Sequence, residues 1–314
     1  MTLSIPFAYL SAILYLSACY STAGKLTGFD IVGPPGERLE LKAKLERDGP
    51  AFLNPDAAGK DLEFLDCGAL AAGPGGGVAV PFPEAIPEGA KVLGEARTDR
   101  EGFARLAIQG PKESGIHLYG VRLKDPRSYR LPRPMAAVLA SIIGPAQQVL
   151  ITDIDDTLLP TKIGPLLDDA TEKQQPFPRA SEILREVSGR YRIIYLTARS
   201  TYLADRTRHW LSAHRFPAGP ILLRDIHAEY SDWNFNEGEF KRRVCENLKS
   251  AAHLAEIRWG IGNTEGDAEA YSRSGIRSVI LGTDPSRLPK EAKAPISSAR
   301  SWEEIGALIL AGGR

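Results

Sequence analysis

No charge of one sign prevails in this chain. Lys plus Arg and Asp plus Glu each number 39 among 314 residues. Without a net field, the composition favours neither a nucleic acid nor an acidic partner, and no nucleic acid is expected to bind. Cysteine is scarce, at three residues. Cys67 and Cys245 fall in segments that read as different domains, and Cys19 lies in the amino-terminal leader, which argues against a disulfide scaffold. A comfortable membrane-spanning run is also missing, because the uncharged stretch from Ile5 to Ala18 is too short. What remains is ordinary for a globular protein, with 43% hydrophobic and 25% charged residues. The chain is long enough for two domains with separate cores.

The leader carries its own signal. Small residues Ser17 and Ala18 precede Cys19, which reads as a cleavable export segment over residues 1–19. Leu16-Ser17-Ala18-Cys19 also resembles the lipobox of bacterial lipoproteins, in which the cysteine is lipidated and becomes the new amino terminus. That resemblance implies a protein on the periplasmic side, anchored to a membrane through Cys19. The chain departs from the pattern in having no Lys or Arg between Met1 and the apolar run. A misassigned start or a buried amino-terminal element is the other reading.

Residues 24–130 read as all-β. Arg38 to Leu45, Asp61 to Leu65 and Gly115 to Val121 alternate polar with apolar side chains, and turn-rich stretches at Gly73 to Gly77 and Pro81 to Pro87 lie between them. Within Gly94 to Ala104, the run Thr98-Asp99-Arg100-Glu101-Gly102 resembles the T-D-x-x-G turn of the strand-turn-strand hairpin in bacterial immunoglobulin-like domains. The resemblance implies an immunoglobulin-like β-sandwich and no chemistry. His117 reads as an ordinary strand residue.

Prolines punctuate the next stretch, and a short apolar helix is expected around Met135 to Ile143. The domain boundary is placed here, with residues 131–146 as a linker. From residue 147 to 314 strands alternate with helices, beginning with a strand over Gln148 to Asp153. Near-continuous apolar strands in such an alternation predict an α/β domain, a parallel sheet covered on both faces. Ligands in such sheets sit at the carboxyl ends of the strands.

The chemistry gathers at four predicted strand and helix ends. Val149-Leu150-Ile151-Thr152 delivers Asp153 and Asp155, spaced i and i+2, onto the turn that ends the strand. Such a pair can hold a hard cation, attack phosphorus and handle a proton, or it can simply cap a strand-to-helix loop. Ile193 to Leu196 ends in Thr197-Ala198-Arg199, a hydroxyl and a guanidinium suited to phosphoryl oxygens, or equally a helix cap with a solvated arginine. Lys241 lies near the start of a helix, where most lysines are merely exposed. Trp259-Gly260-Ile261-Gly262 leads into Asn263 and Asp267, credible hard-cation ligands or parts of a Gly-rich turn with a capping Asp.

Taken together and in this order, the four clusters resemble the haloacid dehalogenase superfamily of phosphohydrolases, with its D-x-D-x-T motif, hydroxyl-ended strand, helical lysine and acidic final strand tip. Asp153-Ile154-Asp155-Asp156-Thr157, Tyr195-Leu196-Thr197-Ala198-Arg199, Ala204 to Leu211, Phe216 to Leu223, Phe240-Lys241 and Gly262 to Asp267 with Tyr271 narrow the similarity to lipin-like phosphatidate phosphatases. The similarity runs from about Val149 to Gly282. Asp156 departs from it, since lipins usually carry Gly there, whereas D-I-D-D-T occurs in the related fungal actin-patch phosphatidate phosphatases.

The resemblance implies a capless Rossmann-like domain. It makes Asp153 the nucleophile and Asp155 the general acid and base. It places Mg²⁺ on Asp153, the backbone carbonyl of Asp155 and Asn263, with Asp267 acting through water. Thr197, Lys241 and Arg199 would hold phosphate oxygens. The intervals from Asp153 to Thr197 and from Thr197 to Lys241, roughly 40 residues each, leave no room for a large cap. An open site suits a phosphorylated lipid at a membrane surface better than a small metabolite needing enclosure. The aromatic segment Tyr230 to Phe235 is then either a lip on that surface or a buried loop anchor. A polynucleotide end, a soluble phosphomonoester, or a binding role without catalysis are the other readings.

Overall fold

The computed structural model describes residues 22–47, 55–70, 85–160, 174–224, 236–251 and 256–312. The predicted leader with Cys19, the aromatic segment 230–235 and the turn-rich stretch 73–77 lie outside the described residues. No helix among the described residues is long and apolar enough to cross a membrane.

Among the described residues, nine strands form the first half: β1 (Thr22–Phe29), β2 (Ile31–Gly33), β3 (Arg38–Arg47), β4 (Asp61–Ala69), β5 (Lys91–Arg97), β6 (Phe103–Gln109), β7 (Gly115–Leu123), β8 (Tyr129–Arg130) and β9 (Ala136–Ile142). They pair as two sheets, ordered β6-β3-β1-β8 and β2-β9-β7-β4-β5. Alternation along the strands aims one face of each sheet at a common core. Leu39, Leu41, Ala43 and Leu45 of β3 meet Leu62 and Phe64 of β4, Val121 of β7 and Val138 of β9 there.

Two sequence expectations change. Met135 to Ile143 is not a helix within a linker, because β9 occupies it and pairs antiparallel with β7 from Ala136 to Ile142. Nearly all of β9 is buried, so its apolar run lacked the alternation that marks a strand. The Thr98 to Gly102 turn, expected to close a hairpin, instead crosses between sheets: β5 pairs with β4, and β6 with β3. Asp99 shapes that turn by accepting from the N–H groups of Glu101 and Phe103, at 3.0 and 2.9 Å. Gly102 takes φ 77°, and a Cβ there would lie 2.4 Å from the Leu45 carbonyl oxygen.

Among the described residues, the second half holds a six-stranded parallel sheet with its helices. It comprises β10 (Gln148–Thr152), α1 (Ala180–Ser188), β11 (Tyr191–Ser200), α2 (Ala204–Ala213), β12 (Ile221–Arg224), α3 (Glu237–Ala251), β13 (Glu256–Gly262), α4 (Glu265–Arg273), β14 (Arg277–Leu281), β15 (Ile296–Ala299) and α5 (Trp302–Ala311). The strand order is β12-β11-β10-β13-β14-β15. Residues of β10 point alternately into two cores. Leu150 joins Ile183 and Leu184 of α1, Trp210 of α2 and Trp302 of α5 on one face. Val149 and Ile151 join Cys245 of α3 and Tyr271 of α4 on the other. The apolar strand is therefore buried on both sides, and Asp153 emerges at its carboxyl end. Cys67 and Cys245 are both free thiols.

Candidate active site

Asp153 directly follows β10, and its N–H donates to the Ile261 carbonyl at 2.9 Å, extending the β10–β13 ladder by one rung. The side chain is buried, 3.1 Å from Lys241 Nζ. Lys241 projects from the first turns of α3 and is itself only 3% exposed, with Asp267 Oδ1 at 2.5 Å. The lysine thus stands between two carboxylates and is not the solvated helix lysine that base rates favour. Burial pushes the Asp153 carboxyl up to about 7, helped by Asp267 and Asp155 and opposed by Lys241. The same two carboxylates raise the Lys241 ammonium above its ordinary range, overcoming its own burial.

Asp267 has a second role. Its Oδ2 accepts from Asn263 N–H at 3.0 Å, Thr264 N–H at 3.1 Å and the Thr264 hydroxyl at 2.9 Å. Together with the bond from Asp267 N–H to Thr264 Oγ1, this forms a capping box at the start of α4. The capping reading of Asp267 therefore holds, while its Oδ1 faces Lys241. The close packing requires glycine at the strand end, since a Cβ on Gly262 would lie 2.5 Å from Asp267 Cβ. Gly262→Ala is expected to destabilise the chain by about 1–3 kcal/mol through overpacking, measured by urea denaturation. An unchanged midpoint would count against this tight approach of β13 and α4.

Thr157 bridges two arms of the site. Its hydroxyl lies 3.4 Å from Asp153 Oδ2 and 3.3 Å from Asn263 Oδ1. Trp302 of α5 fixes the same turn by donating its indole N–H to the Thr157 carbonyl at 2.8 Å. Asp156, where the resembling family usually has glycine, adopts φ 51°. An aspartate tolerates that left-handed conformation better than most residues.

Arg199 does not stand open to a ligand. Its Nε donates to Asp155 Oδ2 at 2.8 Å and its Nη2 to Asp155 Oδ1 at 2.7 Å, a bidentate fork. Its Nη1 donates to Thr207 Oγ1 at 3.1 Å. Thr197 is fully buried, with its hydroxyl 3.4 Å from Asp155 Oδ2. Asp155 is the more exposed acid, at 28% of its side chain against 5% for Asp153. All seven residues singled out from sequence converge. Thr157, Thr207 and Trp302 were missed as site residues, and for Trp302 no signal in the chain pointed at residue 157.

A divalent cation fits this donor set. Three carboxylates (Asp153, Asp155 and Asp267) face two cations (Lys241 and Arg199), so the cluster carries an excess negative charge in a buried place. Among the described residues no three His, Cys, Asp or Glu side chains converge as a metal group. A cation held here would draw on Asp153, the Asn263 amide oxygen and a backbone carbonyl. Asp267, with both oxygens already engaged by protein donors, can act through water.

Fold and cluster define a parallel α/β domain with acid, base and cation side chains gathered at the tip of its central strands. Residues 150–280 match the LNS2 domain of the family described as PITM 1-3, a span that contains all seven residues. No curated protein matches the chain. Among solved structures, the chain is similar to D,D-heptose 1.7-bisphosphate phosphatase from B. bronchiseptica complexed with magnesium and phosphate. The identity is 14% and the TM-score 0.38, over 53% of this chain and 99% of that one. It is also similar to a chain of the Pnkp1/Rnl/Hen1 RNA repair complex, at 15% identity and TM-score 0.35, over 49% of this chain and 42% of that one. The present chain thus spans less than half the length of the RNA-repair chain it matches.

Proposed function

We propose that this protein is a Mg²⁺-dependent phosphatase of the haloacid dehalogenase type that hydrolyses a phosphomonoester, with phosphatidate or a similar lipid phosphate as substrate. The observation that carries the reading is Asp153 held against Lys241 at 3.1 Å while Arg199 grips its neighbour Asp155.

Asp153 attacks phosphorus, forming an aspartyl-phosphate as the ester P–O bond breaks. Asp155 gives a proton to the departing oxygen. In that protonated form one oxygen turns donor, so one of its two Arg199 bonds is released. Water then attacks the aspartyl-phosphate, Asp155 takes its proton, and inorganic phosphate leaves as the carboxylate of Asp153 is restored. Lys241 and the Thr197 hydroxyl bind the transferring oxygens. Mg²⁺, held by Asp153, the Asp155 carbonyl and Asn263, would neutralise charge between an anionic nucleophile and an anionic ester. Magnitude assigns the work. Monoester hydrolysis can demand acceleration of up to ~10²¹-fold, whereas acid–base catalysis typically supplies ~10²–10⁴-fold. Electrostatics and positioning must provide most of the remainder.

The substrate reading rests on the short intervals between the motifs, and among the described residues no inserted domain lies between β10 and β15. We also read the β domain as immunoglobulin-like and the protein as exported and lipid-anchored at Cys19. Mass spectrometry of the mature amino terminus tests the anchor, and an intact Met1 rules it out. The central experiment compares phosphate release from vesicle-borne phosphatidate, nucleotide monophosphates and a phosphorylated DNA end, each with Mg²⁺ and with EDTA. Mg²⁺-dependent release from the vesicles above the soluble esters is expected. Preference for a soluble ester or DNA end overturns the lipid assignment, and no release from any overturns the phosphatase.

A further inference from the structure

Asp30 is the single residue between β1 and β2, and its side chain is fully buried. Its carboxylate accepts from the Leu139 N–H of β9 and from the Ile221 N–H that opens β12, both at 2.8 Å. Arg208 Nη2 reaches both of its oxygens, at 2.7 and 2.8 Å. Leu139 belongs to the β domain, whereas Ile221 and Arg208 belong to the α/β domain. One carboxylate therefore joins the two halves through charge-assisted bonds sheltered from water. Other contacts cross beside it. Lys25 donates to the Tyr202 carbonyl and stands 3.9 Å from the centre of its ring, and Arg133 approaches Asp205 at 3.9 Å.

Arg208 is next to Thr207 on α2. The Thr207 hydroxyl accepts from Arg199, and Arg199 forks onto Asp155. Helix α2 has no side-chain cap of its own at its amino end, and Arg208 and Asp205 on it both face residues of the β domain. The route from β domain to proton donor is short: an ion pair, adjacent positions on one helix, a hydrogen bond and a second ion pair.

We infer that Asp30 is a positioning residue: it ties α2 to the β domain, so that Thr207 holds the Arg199 guanidinium in register with Asp155. The inference rests on the phosphatase reading, and it gives the β domain a part in proton transfer. Freed of Asp30, α2 shifts, Arg199 loses its third partner, and Asp155 no longer meets the departing oxygen at a fixed angle. Proton donation matters most for a basic leaving group and little for nitrophenolate. The kcat/KM values report the first phosphoryl transfer, so they carry this signature.

The test uses the full chain with Mg²⁺ and two esters of similar size, phenyl phosphate and p-nitrophenyl phosphate. Three variants are compared by kcat/KM and by thermal melting: Asp30→Asn, the pair Asp30→Ala with Arg208→Met, and Thr207→Val. The pair removes both buried charges together, which guards against misfolding from a lone charge. Thr207→Val leaves the Asp30 ion pair in place and examines the inner half of the route. For every folded variant, kcat/KM for phenyl phosphate is expected to fall about 10–100-fold, and for p-nitrophenyl phosphate no more than about 3-fold. Parallel falls for the two esters, or selectivity confined to Thr207→Val, overturn the role of Asp30. A wild type that releases phosphate from neither ester nor from the vesicles, nucleotides and DNA end above defeats the phosphatase reading itself, a result visible before any variant is made.

Discussion

Asp153→Asn is expected to abolish phosphoester turnover, by at least ~10⁴-fold in kcat, while the chain stays folded. The substitution preserves the shape of the side chain but removes the oxygen nucleophile, and no neighbouring carboxylate can replace it. Asp155 is held by Arg199, and Asp267 by Lys241, Asn263 and Thr264. Near-normal activity in purified Asp153→Asn would remove the nucleophile assignment. The same variant makes a stability claim of definite sign. Burial raises the Asp153 carboxyl from 3.8 to about 7 in the folded chain. In EDTA, the unfolded wild type therefore ionises at this position before the folded one does. Wild-type stability is lost progressively as pH rises from about 4 to about 7, and the asparagine variant escapes that loss. The gap in Tm between variant and wild type, measured without metal, should open across this window and narrow when Mg²⁺ is added. A gap independent of pH would mean that Asp153 is not strained in its charged form.

Lys241→Met should be damaging twice over. The ammonium lies 3.1 Å from Asp153 and 2.5 Å from Asp267, with all three side chains at or below 5% exposure. Removing it leaves two buried carboxylates facing each other without a counter-charge, for which a loss of about 3–5 kcal/mol is expected by chemical denaturation. The same change takes away a cation proposed to bind phosphate oxygens, so activity in the folded fraction should fall ~10²–10³-fold, a loss comparable to that of a single electrostatic donor. Mg²⁺ should recover part of the stability and little of the activity, because a cation bound by Asp153 and Asn263 does not occupy the lysine's place. Full stability in Lys241→Met without metal would show that this ion-paired triad is not the tight arrangement described above.

The two experiments differ in what they remove. Asp153→Asn takes a negative charge from an over-negative cluster and is expected to stabilise it. Lys241→Met takes a positive charge and is expected to do the reverse. Activity falls in both, which separates function from stability at one site.

The sequence alone determined the parallel α/β half and the placement of its acids. Val149 to Ile151 are buried on both faces of a sheet and so form an uninterrupted apolar strand, and the residues that follow it must be its polar tip. The alternation at the start of β3 and β4 was legible for a similar reason, since there buried residues alternate with exposed or half-buried ones. Signals of this kind are contained within one element. Tertiary structure decided what depends on partners far away in the chain. It made Ala136 to Ile142 a strand through pairing with β7, and it separated β5 from β6 by giving each a different neighbour. It turned Arg199 from an open anion ligand into the clamp of Asp155, 44 positions away, and brought Asp30 to Arg208 across 178. A buried charge is stable only where a partner meets it, and the partner's identity is set by the packing of whole elements. No periodicity within a single segment encodes that choice.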